Sequence, residues 1–370
     1  MLEQFADYYK NRHQRTREWK QKTSRKVVGY FCSNVPEEII HAAGMLPVRL
    51  TGSKEPITQA DAYLQTNVCP FARSCFDLAL RGGYDYLDGM VIPHTCDIIT
   101  HLYDLWKRRI PLPYTYFLNM PHLVNENSMD LFCKELVLFR RSLEEWTGQE
   151  IMDEAIARSV NIYNENRSLL REVSDRRRGF PPALGGADFL EASMVSAVMP
   201  KEEHSALLRQ VLAKEQASST TKNSRPRVLL SGSMIDNTDL PRLIESCGAD
   251  LVSDDLCTGS RYYWDLTDTS KGLLEGLANR YLGKVPCART VCSGERVKRI
   301  LEMRDRYEVD GIIVYAILFC DPHLYEYPLL KKKLEEAGVP VLFLEGDYTL
   351  AAKGQIKTRI EAFVETIEKG

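Results

Sequence analysis

Ten cysteines are the residues in this 370-residue chain whose type and placement carry the most chemistry. Cys32 ends the run KVVGYFC, Cys96 lies in IPHTCD, Cys257 in DDLCTG and Cys320 in YAILFCDPH. Each of these follows a short apolar, β-branched run. Cys69 in NVCPFARSC and Cys287 in GKVPCART stand beside Pro70 and Pro286, off any apolar helical stripe. A thiolate is a soft ligand, and in a dry cleft it suits an iron–sulfur cluster or zinc. Cys133 and Cys247 fall inside helical patterns and read as small packing hydrophobes, whereas Cys75 and Cys292 fit either role. The absence of any CxxC pair argues against a zinc ribbon, and the bacterial ferredoxin run is missing too. Ligands gathered from across a fold leave no compact motif, so a metal reading depends on the elements that carry the cysteines.

Those elements read as two parallel-sheet halves, in which short apolar runs alternate with helical stretches. The strand candidates of the first half are Lys26–Cys32, Leu46–Thr51, Tyr86–His94 and Tyr114–Leu118; those of the second are Arg227–Ser233, Ala249–Asp255, Asp310–Leu318 and Pro340–Asp347. Continuous apolar runs suit strands covered by helices on both faces. The expected fold is α/β, with two Rossmann-like parallel-sheet domains of about four strands each and a helical N-terminal and middle section. Residues 1–125 form the N-terminal helix and first α/β domain, 126–222 a helical section and linker, and 223–370 the second α/β domain. The linker is the polar stretch Gln216–Arg225. Ligands of open parallel sheets bind beyond the carboxyl ends of the strands, where Cys32, Cys96, Cys257 and Cys320 all lie. Four of the ten cysteines, contributed by two different domains, therefore occupy the same functional edge.

Composition narrows the function classes. With 44% hydrophobic and 27% charged residues the chain reads as globular, and its length calls for more than one core. A net charge of −3 and a pI near 6.2 give no basic field for nucleic acid or an anionic membrane. The basic stretches Arg12–Lys26 and Arg176–Arg178 read as solvated faces. The charged N-terminus has no signal-peptide core, and no apolar run reaches the roughly 18 residues of a membrane span. A cytoplasmic protein is expected. In that reducing compartment the cysteines are ligands or packing groups, not a disulfide framework. No G-x-x-x-x-G-K-[ST] phosphate loop is present, so ATP hydrolysis is not expected of this chain.

GYFCSNVPEEIIHAAGMLPVRLTGS resembles the N-terminal signature of the benzoyl-CoA reductase and 2-hydroxyacyl-CoA dehydratase subunit family. NVCPFARSC, YDYLDGMVIPHTCD, DDLCTGSRYYW, FCDPHLYEYPLLKKKLEEAGVPVLFLEGDY and GQIKTRIEAFVE resemble further blocks of it, in order. The resemblance implies a pair of α/β domains with a [4Fe-4S] cluster in the cleft between them, held by Cys69, Cys96 and Cys320. Cys32, Cys257 and Cys287 resemble the remaining positions of the family's double-cubane-cluster branch, which raises an [8Fe-9S] cluster held by all six. It implies an oxygen-sensitive enzyme that passes low-potential electrons to a CoA thioester, by reduction of the thioester or aromatic ring or by dehydration through a ketyl radical. The partners it implies are a homologous subunit, in a hetero- or homodimer, and an ATP-hydrolysing iron–sulfur activator. The alternatives are a homodimeric double-cubane reductase of a small unsaturated molecule and a cluster-free nucleotide-binding or scaffold protein.

Among other side chains, His94, two residues before Cys96, is a candidate proton donor or hydrogen-bond donor to sulfur. Glu37 is a candidate catalytic carboxylate at the helix start opened by Pro36; there Glu37 and Glu38 also suit the helix dipole. His323 shares the two readings of His94. Arg73 and Arg261 are candidates for CoA phosphates. Tyr262, Tyr263 and Trp264 read as core. Ser231-Gly232-Ser233, with Asp254 and Asp255 ending the next strand, resembles half of a dinucleotide site but has one glycine where G-x-G-x-x-G needs three.

Overall fold

The computed structural model describes residues 2–214, 225–290 and 293–369. Cys292 and the expected linker, apart from Arg225, lie outside the described residues. Among the described residues eight strands form two sheets: β1 Val27–Tyr30, β2 Leu46–Arg49, β3 Gly89–Pro93 and β4 Tyr114–Leu118 in the first, and β5 Arg227–Gly232, β6 Asp250–Asp255, β7 Gly311–Ile317 and β8 Val341–Gly346 in the second. All pairings are parallel, and the spatial orders are β2-β1-β3-β4 and β6-β5-β7-β8. The halves share one topology, as their common rhythm predicts. Every strand lies within its expected run, β4 filling it and the others falling short by one to three residues at one or both ends. β1 ends at Tyr30 because the chain turns at Cys32, whose φ of 60° is left-handed.

In this strand order the connections leave in opposite directions from β1 and β3, and again from β5 and β7. A crevice opens at each such switch point. The first lies between the ends that lead into Cys32 and Cys96, the second between those that lead into Ser233 and Cys320. Gly232 explains itself at the second. Its φ is 145°, and a Cβ there would stand 1.9 Å from the Tyr315 carbonyl oxygen on β7. The single glycine of the SGS motif thus serves close strand packing.

Burial follows the layers. Val27, Phe31, Ile92 and Trp106 of the first half share one core with Leu230, Ile313 and Ile317 of the second, joined through the N-terminal Phe5 and Tyr9. The other face of the first sheet packs Val28, Tyr30 and Val91 against the helices Glu126–Thr147 and Asp153–Asp175. Leu277, Tyr281 and Leu282 of the helix Leu273–Gly283 join that same core, although they fall in the second α/β segment of the sequence. The loop after this helix, which holds Cys287, is therefore anchored on the first half. Among the described residues no helix is long and apolar enough to cross a membrane.

Candidate metal centre

Among the described residues, three helices begin at a cysteine. Cys69 is the N-cap of Pro70–Leu80, Cys96 of Asp97–Arg109 and Cys320 of Asp321–Glu336. Pro70 and Pro322 fill the first turns of two of them, where a missing N–H costs nothing. The amides of Phe71 and Ala72 face the Cys69 sulfur, that of Ile99 faces Cys96, and that of His323 faces Cys320. None makes a fully formed capping hydrogen bond to the sulfur. The free donors of each helix start are thus turned toward a sulfur that they favour as thiolate.

The other three candidates sit on turns and meet side chains. The Cys32 sulfur lies 3.4 Å from Thr95 Oγ1. Cys257, just past β6, accepts at its sulfur a 3.0 Å bond from Arg49 Nη2. The Cys287 sulfur lies 3.8 Å from His323 Nε2. Cys32, Cys96, Cys257, Cys287 and Cys320 all line one cavity between the sheet ends, of roughly 530 Å³ counted out to its mouth. Cys69 is not in the lining, but it is close enough to Cys96 and Cys320 for its charge to disfavour their ionisation. Cys75 is buried in the core, and Cys133 and Cys247 are half-buried against apolar neighbours away from the cavity.

Electrostatics give these thiols unequal characters. Burial pushes Cys32 up to about 11, against the pull of Thr95 and Arg49. Burial and the neighbouring sulfurs raise Cys96 and Cys320 further. Burial also opposes ionisation of Cys257, but Arg49, Arg261 and Lys284 outweigh it and bring its pKa below the usual value. Four basic side chains close on this space: the guanidiniums of Arg261 and Arg289 in the lining and of Arg49 behind Cys257, and Lys284, whose pKa burial and the neighbouring guanidiniums push well down. Arg261 pairs with Asp255 at 3.4 Å, whereas no described carboxylate lies within ion-pair distance of Arg49, Lys284 or Arg289. The buried Nε atoms of Arg49, Arg261 and Arg289 have no hydrogen-bond partner among the described residues. Converging soft donors backed by cations with N–H groups to spare fit an anionic, thiolate-bound group. No three cysteine, histidine or carboxylate groups among the described residues are spaced to hold one metal ion. Thiols that bind different irons of a cluster stand farther apart than ligands sharing one ion, so this spacing bears on a mononuclear site alone.

The other expected residues fall in varied places. His94 does not line the cavity; its Nδ1 is 3.3 Å from Asn119 Oδ1 and its ring packs 4.7 Å from that of His122. Glu37 is buried beneath the site, where its carboxylate accepts from the Tyr262 hydroxyl at 3.1 Å and pairs with Lys201 at 3.4 Å. Its N–H, the first of the short helix Glu37–Ala42, donates to the Tyr281 hydroxyl at 3.3 Å. Arg73 is tied to Asp61. His323 and Arg261 line the cavity, and Tyr262 and Tyr263 are core. Arg49, Lys284 and Arg289 were not singled out from sequence. For Arg49 a signal existed: a charge inside the apolar run LPVRL needs a buried partner.

A sequence model of the family described as 2-hydroxyglutaryl-CoA dehydratase, D-component, matches residues 32–367. A benzoyl-CoA reductase subunit of Thauera aromatica is 30% identical over 95% of this chain and 94% of its own length. The (R)-phenyllactyl-CoA dehydratase beta subunit of Clostridium sporogenes is 28% identical over 98% of this chain and 97% of its own. The lactoyl-CoA dehydratase beta subunit of Anaerotignum propionicum is 28% identical over 99% and 98%. The chain belongs to the family of benzoyl-CoA reductase and 2-hydroxyacyl-CoA dehydratase subunits.

Proposed function

We propose that this chain is the iron–sulfur subunit of a low-potential reductase or dehydratase acting on a CoA thioester. In this reading Cys69, Cys96 and Cys320 hold one cubane, and Cys32, Cys257 and Cys287 hold a second. The observation that carries it is the gathering of five of these sulfurs, from both halves, around one cation-backed cavity, with Cys69 beside Cys96 and Cys320. A single [4Fe-4S] cubane has one outward position per iron, fewer than the cysteines gathered here, which favours the [8Fe-9S] cluster. When bound, such a group supplies electrons singly and at low potential.

The chain's own residues prepare the space. Helix-start amides and buried cations offset the negative charge of the thiolates. Lys284, whose Nζ is bound to the carbonyl and hydroxyl oxygens of Ser33, fastens the Cys32 turn to the Cys287 loop. The apolar strand ends keep the sulfurs out of bulk water, which strengthens each of these interactions. A homologous subunit is the natural partner, since the curated relatives are named as subunits. Without a phosphate loop in this chain, ATP hydrolysis falls to a separate iron–sulfur activator.

The test is turnover. Anaerobically purified protein, with its homologous subunit and activator, should consume an aryl-CoA or 2-hydroxyacyl-CoA thioester only when ATP is supplied. Equal turnover with a mild electron donor and no ATP would reject the low-potential mechanism. The surplus of thiols over one cubane also supports a second reading, a homodimeric double-cubane reductase of a small unsaturated molecule. That reading predicts ATP-dependent reduction of such a molecule with no CoA thioester consumed.

A further inference from the structure

The six candidate sulfurs divide by the kind of donor they meet. Cys69, Cys96 and Cys320 face backbone amides at helix starts. Cys32, Cys257 and Cys287 meet Thr95, Arg49 and His323 side chains. A helix start presents partial charge, whereas a guanidinium presents a whole one that proteins do not deprotonate.

Arg49 crosses the cleft. It ends β2 of the first sheet, and its own N–H is fixed by a 2.8 Å bond to the Ala197 carbonyl. Its Nη1 donates to the Cys257 carbonyl at 2.6 Å and its Nη2 to the Cys257 sulfur at 3.0 Å, with Met234 Sδ at 3.4 Å. The side chain is buried, and among the described residues its Nε has no hydrogen-bond partner and no carboxylate is within ion-pair distance. A desolvated cation so placed is balanced by the sulfur it touches and by whatever that sulfur binds. A permanent charge and an N–H donor on a ligand sulfur withdraw electron density and favour the reduced state of the bound metal group.

A second donor acts in the same sense. Arg296 Nη1 lies 3.4 Å from His323 Nδ1, and a guanidinium can only donate. His323 therefore carries its proton on Nε2, the atom nearest the Cys287 sulfur. Arg296 is itself held by Asp255 at 2.7 Å and by Ser231 at 2.9 Å.

We propose that Arg49 is a positioning residue that fixes the Cys257 sulfur and raises the reduction potential of the group held by Cys32, Cys257 and Cys287. That group is then reduced before the one held by Cys69, Cys96 and Cys320. The inference rests on the six-cysteine reading of the site.

The test uses the full chain reconstituted anaerobically with iron and sulfide, and titrated with titanium(III) citrate while the reduced spectrum is followed. Arg49→Gln should keep wild-type iron and sulfide, and its first midpoint should move to more negative potential. Arg49→Lys, which keeps charge but loses the fork, should shift less in the same direction. An unchanged first midpoint at full iron content, or a shift confined to the second reduction, overturns the proposal. Should Arg49→Gln fail to fold, Arg49→Lys decides by the same criterion. Wild-type protein that takes up no iron defeats the cluster reading itself, a result distinct from an unmoved midpoint.

Discussion

Arg167 and Glu38 form a fully buried ion pair, with Nη2 and Oε1 2.7 Å apart. The N–H is not aligned for a hydrogen bond to that oxygen, and the pair is completed by Tyr281, whose hydroxyl donates to Glu38 Oε2 at 2.6 Å and accepts from Arg167 at 3.1 Å. This knot ties the helix after the Cys32 turn to the helix that leads into the Cys287 loop. Glu38→Gln leaves Arg167 buried and uncompensated, at an expected cost of about 3–5 kcal/mol in urea unfolding. Burial opposes the charge on Glu38, but Arg167 and Tyr281 hold its pKa below the ordinary 4.5. Its contribution is therefore complete above that value and fades as pH falls through the lower folded pKa.

His204 sets a second pH dependence. Asn166 donates to its Nδ1 at 2.8 Å, so Nε2 carries the proton and donates to the Ala192 carbonyl at 2.9 Å. Burial, with the nearby Lys201 charge, brings its pKa down from 6.5 to about 3. Between those values the unfolded chain binds one more proton than the folded one, so stability rises with pH by about 1.4 kcal/mol per unit for this group. Denaturant midpoints measured from pH 4 to 6.5 should climb, and His204→Gln should flatten that slope while lowering the whole curve.

The cysteines separate by role. Cys96→Ala and Cys320→Ala should lose most visible absorption and bound iron while keeping the far-ultraviolet spectrum of the fold. Cys133→Ala, on the helix Glu126–Thr147, should keep both. Cys75→Ala should keep its iron and lose about 1 kcal/mol of stability through the small void it leaves. Full iron in either Cys96→Ala or Cys320→Ala would contradict the ligand assignment.

Gly232→Ala tests the switch point of the second sheet. The new Cβ would overlap the Tyr315 carbonyl, a backbone atom that cannot swing away, at a φ that L residues avoid. The expected loss is more than about 3 kcal/mol, read from thermal or urea unfolding.

Much of this was legible in sequence. All eight strands coincide with apolar runs, because strands covered on both faces need continuous hydrophobic residues. Cys32, Cys96, Cys257 and Cys320 read as one edge because strand ends of parallel sheets point the same way. What escaped were contacts between residues far apart in the chain. The helix Leu273–Gly283 packs on the first sheet, which no local pattern announces. Glu37 and Glu38 match a solvated helix start in sequence, yet Lys201 and Arg167 bury them as pairs. His94 sits beside Cys96 in sequence, but its ring lies with Asn119 and His122, outside the cavity lining.

The proposed function stands on joint iron binding by cysteine sulfurs of both halves. Iron and acid-labile sulfide counted per chain in anaerobically purified protein test it most directly. The account predicts about eight irons per fully loaded chain, as two joined cubanes require. About four would confine the cluster to Cys69, Cys96 and Cys320, and a folded, colourless protein that takes up no iron would contradict the account.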